Sequence, residues 1–75
     1  MTPEQRQLNA ERLLKDPTLR EALDVLKQTQ IAVFTDRTSS EADVMEARRM
    51  VRALGDLETQ LSRFILDGKL AERRK

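Results

Sequence analysis

The sequence predicts an all-α chain folded as an antiparallel helical hairpin. Two helix-start signatures flank one short polar loop: Thr2-Pro3-Glu4-Gln5 near the beginning and Thr38-Ser39-Ser40-Glu41 midway. In each, a threonine hydroxyl can accept from an orphan backbone N–H, and a Gln or Glu three residues on can reach back to the cap. Between and beyond these signals, apolar residues recur at helical intervals rather than in the alternation of a strand. The 75 residues form one domain, with a first arm over 3–15 and 17–35, a loop over 36–39, a second arm over 40–67 and a basic tail over 68–75.

The first arm opens with Pro3 at the first helical position, where its missing N–H costs nothing. Leu8, Leu13 and Leu14 make a thin apolar stripe beside Arg6, Glu11 and Arg12. At Asp16-Pro17 the helix must kink or break, because proline cannot donate to the carbonyl four residues back and disfavours helix at the residue before it. Asp16 as N-cap and Pro17 at the first helical position suit a fresh start. A kink in one rod and a corner between two helices both fit. From Thr18 to Phe34, Leu19, Leu23, Leu26 and Val33 form the stripe, with Gln30 in the missing slot and Ala22 and Ile31 widening it.

The loop, Thr35 to Ser40, is made of cap and turn formers. The second arm carries Ala47, Met50, Leu54, Leu57, Leu61 and Phe64 at alternating intervals of three and four, the seam of a heptad repeat. Val44, Val51 and Ile65 flank it. Gly68 suits a left-handed C-cap, with Lys69 after it favouring the negative end of the helix dipole. Folding about the loop pairs Leu23 with Met50 and Val51, Leu19 with Leu54, and Leu8 with Ile65. Gly55, inside this arm, reads either as a close helix crossing or hinge, or as a glycine tolerated on an open face.

A single seam with Phe34 and Phe64 as its only aromatics offers a small core for a chain of this size. The expectation is a hairpin completed to a bundle by self-association or by a partner. Met50, Val51, Leu54, Leu57, Leu61, Phe64 and Ile65 are the candidate protein-interface residues. Met50, Leu57 and Phe64 lie on one shoulder of the second arm and Val51 and Ile65 on the other. One partner helix covers only a narrow seam, so the remaining shoulder needs either another chain or the N-terminal segment folding back.

Chemistry is poorly provided for. Histidine, cysteine, tyrosine and tryptophan are all missing, which removes the commonest general base, the thiol nucleophile and the softer metal ligands. There is no phosphate-cradling glycine loop, nucleophile elbow or calcium loop. Carboxylate pairs such as Glu41 with Asp43 and Asp56 with Glu58 stand two residues apart on a helix and point to different faces. No catalytic residue, cofactor, metal or small-molecule substrate is expected, and the chain reads as a non-enzyme.

Fourteen Lys and Arg against thirteen Asp and Glu give a net charge of +1, with both signs interspersed. The pointed clusters are Arg48, Arg49 and Arg52, one helical turn apart, and the tail residues Lys69, Arg73, Arg74 and Lys75. Both could touch nucleic-acid phosphates. The balance of charge favours solvated surface instead, with Glu46 to Arg49 and Arg52 to Asp56 as local pairs. No apolar run reaches a membrane span and no signal peptide opens the chain, so a cytoplasmic protein is expected.

Leu14, Asp16, Pro17, Glu21, Ala22 and Leu23, then Glu41-Ala42 after the loop, Ala53-Leu54, Leu57, Leu61, Ile65 and the exit Asp67-Gly68-Lys69-Leu70, follow one another in an order that resembles small helical proteins of tailed-bacteriophage morphogenesis and packaging gene clusters. The resemblance spans roughly residues 14–70. Such proteins often carry a tryptophan late in the first long helix, where this chain has Phe34. The resemblance implies a head-assembly or genome-packaging accessory acting by association, in the host cytoplasm or the virion, and it carries over no ligand residue.

Overall fold

A computed structural model describes residues 1–74, and the tail residue Lys75 lies outside them. The described residues form three helices and no strand: α1 (Pro3–Lys15), α2 (Pro17–Thr35) and α3 (Glu41–Arg73). Helices α1 and α2 lie end to end along α3, so the molecule is a two-layered rod of 56 × 22 × 16 Å.

Each start is written in local hydrogen bonds. The Thr2 hydroxyl accepts from the Gln5 amide at 3.1 Å, and the Gln5 side chain accepts from the Thr2 amide at 3.0 Å. Asp16 takes an extended conformation and separates α1 from α2 by a single residue. Its carboxylate accepts from Thr18 N (2.8 Å) and Leu19 N (3.0 Å), two donors that Pro17 leaves orphaned at the start of α2. Arg20 Nη1 donates back across the break to the Leu14 carbonyl at 3.0 Å, closing the end of α1. The first arm is therefore one rod broken at a single capped residue, with both pieces on the same partner helix.

Helix α3 starts two residues later than a cap at Thr38 would place it. Ser40 is the N-cap, and Asp43 completes the box: Ser40 Oγ accepts from Asp43 N at 3.1 Å, and Asp43 Oδ2 accepts from Ser40 N at 3.2 Å. Thr38 is committed elsewhere. Its amide and hydroxyl both donate to Asp36 Oδ1, at 2.8 and 2.7 Å, in a side-chain-closed turn. These two donors hold the fully exposed Asp36 carboxyl below the ordinary carboxylate range.

Nor does the helix stop at Asp67. It continues through Gly68 and Lys69 to Arg73, with Arg74 as its cap, so most of the basic tail is the last turns of α3. Gly68 has an ordinary negative φ and no left-handed role. It is buried, and a Cβ there would collide with Gln7 and stand 2.9 Å from the Pro3 carbonyl oxygen. Here glycine lets the N-terminal turn of α1 approach α3, and that packing carries the helix past the point where a glycine cap would end it. At Gly55 a Cβ would meet nothing within 4 Å, so it is neither a crossing nor a close contact.

The core is thin. Ala10, Leu23, Ala47, Leu54 and Leu61 are its buried apolar residues, with Ala47 only 1% exposed. Along α3 the buried positions recur every seven residues, from Ala47 through Leu54 and Leu61 to Gly68. On α1 the covered positions Gln7, Ala10 and Leu14 follow the helical period, and Leu8, one residue off that row, points outward instead of meeting Ile65.

Candidate functional site

Helix geometry decides which shoulder of α3 the hairpin covers. Lys27 on α2 forms an ion pair with Glu58 on α3, across one flank of the seam. On that flank Val44, Val51, Glu58 and Ile65 are half-buried. On the opposite flank Met50 and Leu57 remain 37% and 47% exposed. Phe64, the next residue in that row, is half-buried because the Arg6 guanidinium of α1 lies over its ring at 5.1 Å. The N-terminal segment thus covers one residue of this shoulder and leaves the other two open.

The seven residues read as an interface divide accordingly. Leu54 and Leu61 are buried within the chain and contribute no outer surface, because the positions that recur every seven residues face the first arm. Val51 and Ile65 are half-covered beside them. Met50 and Leu57 are open, and α2 adds residues that the heptad reading of α3 did not include. Leu26 is 44% exposed, and Val25, Ile31 and Phe34 are exposed as well. Of the stripe read along α2, Leu23 is buried and Leu19, Gln30 and Val33 are half-buried, whereas Leu26 stays open.

The arginine cluster is also assembled as spaced. Arg48, Arg49 and Arg52 line a shallow hollow with Phe34, Met45 and Val51 near the loop end. Arg49 approaches Glu46 at 3.6 Å, both of them largely solvated. Among the described residues Arg48 and Arg52 form no ion pair, so the expected Arg52–Asp56 pair is not made. Lys69 and Arg73 sit on the last turns of α3, and Arg74 caps it. Arg52 and Lys69 stand 17 positions apart on one continuous helix, on the order of 25 Å at 1.5 Å per residue, so the two basic clusters are separate patches of one copy.

Among the described residues no three His, Cys, Asp or Glu side chains converge to hold a metal ion, and no helix is long and apolar enough to cross a membrane. Comparison with protein-family models, curated proteins and solved structures finds no match for this chain.

Proposed function

We propose that this chain is a non-enzymatic assembly or adaptor protein that works by helix–helix association. The observation that carries the reading is the uncovered shoulder of the hairpin: Met50 and Leu57 on α3 beside Leu26 on α2, all large, apolar and open. A bundle-forming helix with this broad an apolar face buries it against another helix. The resemblance to small proteins of tailed-phage morphogenesis and packaging clusters directs the role toward a head-assembly or packaging accessory. Such a role needs a docking surface and no reacting group.

The test is the size of the chain in extracts of cells that produce it, tagged beyond Lys75. Association predicts elution well above the mass of one 8.7 kDa copy, reduced by Met50→Lys with Leu57→Lys. Elution as a single free copy, unchanged by those substitutions, rejects the proposal.

A second reading is a nucleic-acid-binding packaging subunit. It is supported by Arg48 and Arg52, which form no ion pair among the described residues and stand beside the exposed ring of Phe34. Lys69, Arg73 and Arg74 would add phosphate contacts at the far end. A salt-dependent mobility shift lost in Arg48→Gln/Arg52→Gln supports this reading, and no shift at low salt ends it.

A further inference from the structure

From the distribution of charge around α2 and α3, together with the area left open, we infer that the occupant of the uncovered face is a second copy of this chain. The inference rests on the association reading and names its partner.

The face is defined by the Lys27–Glu58 pair. Leu26 and Leu57 immediately precede these two residues, and each is turned by roughly 100° around its helix to the opposite flank. In antiparallel helices the two turns lead to the same side. Leu26 and Leu57 therefore share one lateral face of the hairpin.

That face carries no charge through its centre. On α2, every charged residue (Arg20, Glu21, Asp24 and Lys27) lies on the flank of the ion pair or behind it, and Gln28 to Thr35 holds none. The opposite row runs Thr18, Ala22, Leu26, Thr29 and Val33. Beside it on α3 runs Met50, Ala53, Leu57 and Gln60, in a row that Glu46 and Asp67 close at its two ends. In a chain with 36% charged residues, two adjoining uncharged rows stand apart from the solvated surface. An uncharged face has no electrostatic preference for a partner of either sign. It is complementary to another face of its own kind, as an isologous two-fold contact requires.

The exposed area agrees. One copy exposes 6102 Å², whereas a compact monomer of 8.7 kDa exposes about 4,700 Å² by the scaling of surface with mass. The excess, about 1,400 Å² per copy, is spread over the whole elongated rod, and it leaves room for the ~800 Å² per partner that a standard interface buries. Two hairpins laid face to face give a four-helix bundle, the smallest arrangement that encloses both shoulders.

The chain has no cysteine, so a single introduced thiol reports on one position alone. Ala53→Cys lies in the inferred contact and Ser62→Cys on the flank of Glu58; both native residues are exposed. The purified full chain, treated with a short bis-maleimide, is expected to give a covalent dimer from Ala53→Cys and little from Ser62→Cys. Leu57→Lys, at a site already exposed in one copy, is expected to raise the dimer dissociation constant by roughly 100-fold, as two truncated anchors each cost about tenfold. Preferential linking through Ser62→Cys, or a dimer indifferent to Leu57→Lys, overturns the inferred face. A purified chain that stays a single copy and links at neither position overturns the second copy as occupant. If that chain still elutes as a large species in cell extract, association stands with a different partner; if it is free there too, both readings fall.

Discussion

Gly68 on α3 packs directly against Pro3 at the start of α1: a methyl group added at Gly68 would stand 2.9 Å from the Pro3 carbonyl oxygen and overlap Gln7. The Gln7 amide end can swing aside, but Gln7 Cβ and the Pro3 carbonyl are fixed by the backbone of α1. Gly68→Ala should therefore destabilise the fold by about 1–3 kcal/mol through overpacking, more than the gain of about 1 kcal/mol that alanine brings to a helix interior. Gly55→Ala, with open space around its Cβ, should stabilise by about 0.5–1 kcal/mol. Urea unfolding of the two variants beside the parent checks both signs, at a chain concentration held constant because association contributes to stability.

The Lys27–Glu58 pair is a second element of the register. Both side chains are partly shielded, 31% and 38% exposed, and Glu58 Oε1 is itself closed off from solvent. Lys27→Met should cost about 1 kcal/mol after allowance for screening, because a carboxylate is left at the seam without its cation. Adding Glu58→Leu to Lys27→Met should recover most of that loss. A double-mutant cycle in chemical denaturation measures the coupling, which should weaken in high salt.

Strong acid should loosen the turn that Asp36 closes. The donors of Thr38 hold the Asp36 carboxyl below its ordinary value of 3.8, so the ionised form is the one the folded turn favours. The contribution is fully present above 3.8 and is lost as pH falls through the lower, folded value. The Thr38 amide resonance should titrate with that lowered midpoint. Thr38→Ala should move the Asp36 titration upward, toward the value of a free carboxyl.

Loss of the Ser40 hydroxyl should be felt at the start of α3. Ser40→Ala removes the acceptor for the Asp43 amide and should cost about 1 kcal/mol, whereas Thr38→Ala should cost less because Thr38 is not the cap. Amide exchange through residues 41–44 separates the two variants.

Local chemistry was legible in the sequence wherever one residue had one suitor. Thr2 with Gln5, and Asp16 with Pro17, each permit a single capping arrangement, and the structure adopts it. At Thr38-Ser39-Ser40 three hydroxyls competed for one cap. The winner depended on Asp36, which draws both donors of Thr38 into the turn before it. Gly68 shows the other limit. A glycine followed by lysine is a sound stop signal locally, yet the approach of Pro3 and Gln7 gives the same residue a packing role inside a longer helix. The broad apolar face of α3 was also readable from spacing alone. The choice of shoulder was not, because it follows from a contact between Lys27 and Glu58 that lie thirty-one positions apart.

An elongated outline accompanies that open shoulder. The radius of gyration is 16.3 Å, against about 11 Å for a compact chain of this length. Sedimentation equilibrium of the full chain over the micromolar range tests the central claim most directly. The account predicts a species of twice the 8.7 kDa chain mass that dissociates on dilution and is lost in Leu57→Lys. A helical species of one chain mass at every concentration, indifferent to Leu57→Lys, would contradict it.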